Sequence, residues 1–351
     1  MKQLIAIFLF TTSPALIFGQ ANILNAKSPS EIGVTTPEQD KFDNNKPLEY
    51  GFVADKDILF SKTIWEIIDI DERVNFPLFF PADTSLVGRE RRPLVHYLLN
   101  GILTGQIQDY YLEDNLKDKM TREKLDRSLK YKKIRKGEGE GIGEERISIE
   151  AGNKYNFLLN YGVAIPSEYQ NVDQTQMSDR ELGEFDQAMT ELIFENNLLR
   201  EEEYSEEIFD YSDIVEIRVK GIWYFDGKLG ELKYRPIAIG PVIQTPRSKA
   251  DQKDSPVAEK AFAALFWVFY PDVREVLYKA DAFNEKNTSR PISFDDLINA
   301  HRFSGYIYKE DNVYQDREIE KYIPKNSLLR LLESDRIRDK IRNLEHDMWS
   351  W

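Results

Sequence analysis

Residues 214–243, IVEIRVKGIWYFDGKLGELKYRPIAIGPVI, constrain the fold more than any other stretch of the chain. Val215, Ile217 and Val219 alternate with Glu216, Arg218 and Lys220. A period of two belongs to a strand with one buried face, because successive side chains point to opposite sides of the pleat. Asp226-Gly227 is a turn signal, and residues 232–243 return as the antiparallel partner. Pro236 and Pro241 cannot donate to a ladder, which places the returning strand at a sheet edge.

Helical patterns flank this ribbon. Residues 94–103 read as a helix closed by Gly105, since glycine tolerates the left-handed backbone that ends helices. A short strand over 107–112 follows. Thr121 caps a short helix. Ser178 and Glu181 form a capping box ahead of Leu182, Phe185, Met189, Leu192 and Ile193, which share one helical face. The block AFAALFWVFY reads as a buried strand, and Pro271 suits the first turn of the helix after it. Ser293 caps a further helix with Asp295 and Asp296 in its first turn. The last helix, from Ser327, carries Leu328, Leu331, Leu332, Ile337, Ile341, Leu344 and Met348 as an apolar stripe. These elements give an α+β fold: two small lobes with mixed helices and short antiparallel strands. The expected division is a signal peptide at 1–21, a flexible linker at 22–48, an N-terminal lobe with a charged insert at 49–177, and a C-terminal α+β lobe at 178–351.

One phrase occurs twice. Residues 92–115 read RPLVHYLLNGILTGQIQDYYLEDN and residues 290–312 read RPISFDDLINAHRFSGYIYKEDN. Both open on Arg-Pro, run to Gly-x-Ile and close on Glu-Asp-Asn. The upstream IWEII and VREVL also echo, so each copy reads helix, connection, Arg-Pro, helix, strand. Internal duplication of a small unit explains this, as does chance likeness of short helix-turn-strand pieces. Gly105 and Gly305 are both expected to end helices at positive φ. The trailing Glu-Asp is a calcium candidate, but one acidic turn without further spaced oxygens reads better as a solvated turn.

The 351 residues carry a net charge of -14, which repels nucleic acid and anionic membranes. Met1-Lys2, the apolar run from Leu4 and the small residues of FGQA read as a secretory signal peptide, cleaved after Gly19 or Ala21. The apolar run is too short to span a bilayer. Absence of cysteine excludes disulfides, a thiol nucleophile, thiolate metal sites and a lipid-modified N-terminus.

No catalytic, cofactor-binding or metal-binding residue is nominated. His96, His301 and His346 fall in predicted helices without a second histidine one turn away, so they read as helix-surface residues rather than zinc ligands. GEGEGIGEE lacks the Gly-Lys-Ser/Thr ending of a phosphate loop and reads as a surface loop. No Gly-x-Ser-x-Gly elbow occurs, and carboxylates are too abundant to mark a glycosidase. One alternative is an exported enzyme acting on peptidoglycan or glycan through carboxylates that the sequence does not single out; another is a periplasmic binding module with Trp65, Trp223 and Trp267 as sugar platforms, although these read better as buried core residues. The basic stretch 117–136 and the acidic stretch 195–213 either meet head to tail between subunits or form two solvated faces. Lys130, Lys132, Lys133, Trp349 and Trp351 are the interface candidates, with the terminal helix.

Three stretches together carry a resemblance. FYPDVREVLYKADAFNEKN, SFDDLINAHRFSGYIYKEDNVYQDREIEKYI and RIRDKIRNLEHDMW, with TIWEIIDIDERVNFPLFFP upstream, resemble the gliding-motility GldN family, called PorN in non-gliding species. The resemblance runs from about residue 50 to the end. It implies a periplasmic component of the type IX secretion system of Bacteroidota, without a catalytic motif. It further implies assembly with a GldK/PorK-like lipoprotein into a ring beneath the outer membrane. That ring is coupled to the periplasmic part of a GldM/PorM-like motor protein.

Overall fold

The computed structural model describes residues 46–83, 87–88, 91–135, 142–170, 179–245, 262–283 and 292–349. The signal segment, most of the linker, Ser178, Arg290, Pro291 and Trp351 lie outside them. In chain order the elements are β1 (Ile58–Asp69), α1 (Phe76–Phe79), α2 (Leu94–Leu103), β2 (Tyr110–Tyr111), α3 (Arg122–Leu129) and β3 (Lys130–Ile134). Next come α4 (Ile142–Ala151), α5 (Lys154–Asn160), α6 (Asp179–Glu195), β4 (Tyr204–Ile208), β5 (Ile214–Asp226), β6 (Glu231–Gln244) and β7 (Phe262–Ala264). The last are β8 (Trp267–Phe269), α7 (Tyr270–Tyr278), β9 (Asp281–Ala282), β10 (Ile292–Ser293), α8 (Phe294–Asn299), β11 (Gly305–Glu310), α9 (Ile319–Tyr322) and α10 (Ser327–Trp349). The fold is α+β.

Two compact units form. Of the described residues, the first takes those up to 120, 214–243 and those from 266 onward; the second takes those within 121–213 and 244–265. The described parts of both copies of the repeated phrase therefore lie in the first unit.

The β5–β6 hairpin is the centre of the first unit. Its sheet runs β11-β1-β5-β6-β8-β2, antiparallel at every step. β6 is thus interior, not the edge its prolines implied. Pro236 opposes Gly221 where the β5–β6 register already shifts, so no regular ladder bond is forfeited there. β8 pairs β6 only at Ala238 and Ile239, between the two prolines. The hairpin turn is also longer than Asp226-Gly227 suggests. Asp226 Oδ1 accepts from the Lys228 and Leu229 amides, and Gly230, at φ 68°, takes the left-handed position.

IWEII is strand, not helix: Ile64 to Ile68 lie inside β1, paired on one side with β5 and on the other with β11. The counterpart of β1 is β8. Each is followed by a helix with proline in its first turn (α1 with Pro77, α7 with Pro271), then a second helix (α2, α8), then an edge strand (β2, β11). Exchanging β1 with β8, β5 with β6 and β2 with β11 reverses the strand order onto itself. Each half's last strand pairs with the other half's first: β11 with β1, β2 with β8.

This arrangement explains the repeated ending. After each edge strand an asparagine turns the chain back: Asn115 Oδ1 accepts from Lys117 N at 2.9 Å, and Asn312 Oδ1 from Tyr314 N at 2.9 Å. The returning chain then bridges the strand it left, Lys119 to Tyr111 and Glu318 to Lys309, covering both sheet edges. The acidic residues hold lysines: Asp114 pairs with Lys309 at 2.9 Å, and Glu310 and Asp311 with Lys62 at 3.1 and 2.8 Å. Asp114, Glu310 and Asp311 are thus ion-paired, not simply solvated, while Glu113 accepts from Asn115.

The two glycines part company. Gly105 sits past α2 at φ 77°, as expected. Gly305 instead begins β11, and His301, at φ 51°, takes the left-handed position past α8. Its amide donates to Ile298 O, and the next amide, from Arg302, donates to Leu297 O. Ser293 caps α8 as predicted, accepting from Asp296 N at 3.0 Å.

The second unit packs Ile134, Ile147, Phe157, Leu158, Phe185, Met189 and Ile193 into its own core. Phe185, Met189 and Ile193 recur at helical spacing on α6, whereas Leu182, expected on that face, is exposed. Thr121 caps α3, accepting from Lys124 N. The glycine-rich stretch falls in part outside the described residues, but Gly143 lies in α4, where a side chain would overlap the Glu203 backbone. Buried Glu203 takes Arg146 Nη1 at 2.8 Å, and its Oε2 also accepts from Arg200 N at 2.8 Å.

Candidate functional site

The terminal helix α10 spans Ser327–Trp349, as its pattern predicts, but it does not bury one continuous stripe. Ser334, Ile337 and Ile341 face the sheet, packing with Ile64 and Ile307. Ser334 Oγ accepts the Ile307 amide at 2.8 Å, which satisfies a backbone donor of β11. Arg338 donates to the Gly305 carbonyl. The four leucines of the first two turns point elsewhere. Leu328, Leu329, Leu331 and Leu332 are 63%, 47%, 48% and 55% exposed. A helix locked to a sheet by its second half thus presents a run of apolar side chains on its first half. An apolar cluster of this kind on an ordered element is a candidate interaction surface.

The basic candidates lie in the second unit. Lys130, Lys132 and Lys133 are on β3, which pairs in antiparallel register with acidic β4: Lys130 opposite Ile208, Lys132 opposite Glu206, Lys133 opposite Ser205. Lys132 Nζ also lies 5.1 Å from the Tyr204 ring centroid. The basic and acidic stretches therefore meet within one chain, a pairing that neither expectation contained. Arg127 and Glu195 add a further in-chain contact at 3.1 Å. Trp349 is the last residue of α10, and Trp351 lies outside the described residues.

Beneath the second half of α10 is a polar pair in apolar surroundings. Glu66, on β1, has a side chain 1% exposed, and its Oε2 lies 2.9 Å from Nε2 of His301. The imidazole packs against Phe303 (4.3 Å between centroids), Tyr234 (4.7 Å) and Trp223 (5.5 Å). His301 is therefore not a helix-surface residue but a turn residue aimed inward. The Tyr234 hydroxyl is buried without a hydrogen-bond partner; burial pushes its phenol well above the ordinary value, and the charge of Glu66 adds to this. A Cβ at Gly221 would overlap the Tyr234 ring, so this glycine is demanded by packing.

The turn that carries His301 is itself braced. Asn299, two residues before it, donates to Asp295 Oδ1 at 2.6 Å. Asp295 also takes Arg274, at 3.0 and 3.2 Å, and the Tyr270 hydroxyl at 2.9 Å. Tyr50 completes the network: its hydroxyl donates to Asn299, and its ring lies beneath Arg274 and Arg235 at 4.0 and 4.6 Å. Burial chiefly raises the Tyr50 phenol to about 12.

A cavity of about 320 Å³ opens beside the Glu66–His301 pair. Trp223 lines it, whereas Trp65 and Trp267 are core residues, 3% and 4% exposed. Nothing local in the sequence signalled this site. Glu66 and His301 are separated by 235 positions, and each looks ordinary in its own segment. Among the described residues, no group of three or more histidine, aspartate or glutamate side chains is placed to hold a metal ion.

A family model described as gliding motility associated protein GldN matches residues 53–350. No curated protein matches the chain.

Proposed function

This chain belongs to the GldN family of gliding-motility-associated proteins, and on that premise we propose that it is a non-enzymatic structural subunit of a periplasmic ring complex. The family is associated with gliding motility and type IX protein secretion. On this reading the subunit is needed for protein export and, in gliding species, for movement. Its partners are a GldK/PorK-like lipoprotein, the periplasmic part of a GldM/PorM-like motor protein, and further copies of itself.

One observation supports an assembly role above the rest: the exposed leucines of α10. Four half-exposed leucines on one ordered helix leave favourable burial unrealised, about half of the ~1.5–3 kcal/mol that full burial of each side chain is worth. A partner that covers them gains that term without reordering the helix, which the Ser334 and Arg338 contacts already hold. Among the described residues no helix is long and apolar enough to cross a membrane. Association with the outer membrane therefore comes, on this reading, through protein partners. Fractionation tests it: cells lacking the partner lipoprotein should release the chain from the membrane fraction or degrade it. Undiminished membrane association in those cells would contradict the reading.

A further inference from the structure

We propose that the cavity beneath α10 is a binding site for a neutral saccharide, with one pyranose ring seated against Trp223. The inference is independent of the assembly reading, because it uses the inner side of the helix and not its leucines.

The cavity has walls of two kinds. Ile64, Leu232, Ile307 and Ile341 are apolar, and Trp223 adds an indole. Five polar side chains share the lining: Glu66, His301, Arg338, Arg342 and Glu345. At about 320 Å³ the volume lies at the lower end of small-ligand pockets and suits one or two sugar rings rather than a long chain.

Exposure orders the polar groups by depth. The Glu66 side chain is 1% exposed and that of His301 23%, whereas Arg338 and Arg342 are 40% and 60% exposed. The acid–imidazole pair is the floor and the arginines are the rim. Charges nearly balance: two guanidinium groups and Glu345 line the rim, and Glu66 faces His301 below. Such a lining gives no net attraction for an ion of either sign. It does offer donors and acceptors side by side. Guanidinium groups only donate and carboxylates only accept, while a sugar hydroxyl does both. Adjacent hydroxyls on one ring face can therefore take an arginine and a glutamate together, as charge-assisted hydrogen bonds.

Rim groups are available for this. Arg342 meets Asp339 only at 3.5 Å, and among the described residues Glu345 has no ion-pair partner. Trp223 supplies the third requirement. The face of an indole is electron-rich, and the axial C–H groups of a pyranose carry partial positive charge, so the ring stacks without an ion. The Glu66–His301 pair fixes the floor, since each holds the other's orientation.

The test uses the full mature chain and saturation-transfer NMR with glucose, galactose, mannose, N-acetylglucosamine and their β-1,4 disaccharides as probes. Glucuronate and glucosamine serve as charged controls. At least one neutral sugar should receive saturation, and raised salt should leave the signal unchanged. Arg342→Ala and Glu345→Gln, both near the C-terminal end of α10, should each weaken binding roughly tenfold or more. Trp223→Phe should weaken it as well. A Leu331→Ser chain should bind sugar as wild type does, whatever it does to assembly. Absence of transfer to every neutral sugar would overturn the proposal. So would salt-sensitive binding of a charged control in preference to its neutral parent, or unchanged transfer in both helix variants.

Discussion

Glu66 shows most sharply how a single side chain is tied to the whole first unit. Its side chain is only 1% exposed, and His301 is the hydrogen-bond partner that compensates. Removing one member of a buried pair strands the other, at a cost of about 3–5 kcal/mol. His301→Ala should therefore lower stability by about that much in urea unfolding, while Glu66→Leu/His301→Leu should recover a large part of the loss. Equal losses in single and double variants would show that the pair does not act as a unit. Gly105 makes a smaller demand of a different kind. At φ 77° it occupies a backbone region that disfavours branched side chains, so Gly105→Val should cost about 1–2 kcal/mol. Gly305 has ordinary strand geometry, and Gly305→Ala should cost less in the same measurement. The repeated phrase made these glycines look equivalent. What differs is helix length: α8 ends early and its turn falls on His301, a residue that sequence pattern alone does not assign to the left-handed region.

Elements with local signals were legible. α2, α10, the Ser293 and Thr121 caps and the β5–β6 hairpin all follow from periodicity and capping chemistry within a few residues. Pairing was not, because strand neighbours are set by contacts across hundreds of positions. IWEII is apolar enough for either state, and only its pairing with β5 and β11 makes it a strand. The β3–β4 ribbon was hidden in the same way, behind two charge runs about seventy residues apart. Its register predicts a charge swap: Lys132→Glu opposite Glu206 should destabilise the ribbon by about 0.2–1 kcal/mol. Hydrogen exchange across 130–134 and 204–208 should rise in that variant and return toward wild type in Lys132→Glu/Glu206→Lys. Unchanged exchange would mean that the facing charges contribute nothing. Truncation after Glu345 tests α10 in turn. Ser334, Ile337 and Ile341, which seat the helix, all remain, so the chain should stay folded by circular dichroism. Unfolding would show that the last turn belongs to the core.

At the scale of the whole molecule the repeat becomes a design. Two similar strand–helix–helix–strand segments exchange their edge strands around a central hairpin, and each covers its own edge with the chain that follows. A sheet closed off in this way offers little edge for strand addition. If the chain assembles as proposed, side-chain surfaces such as the exposed leucines of α10 are the candidate contacts. The sequence placed three of these leucines on the same stripe as Ile337 and Ile341; packing separates them, which no periodicity argument anticipates. The most direct measurement is the native mass of the detergent-extracted protein, for wild type and for Leu328→Asp/Leu332→Asp. The account predicts that the wild-type chain runs in a very large complex with partner proteins. The double variant should run as a folded monomer with an unchanged circular dichroism spectrum. A wild-type chain that runs alone, or a double variant still held in the complex, would contradict it.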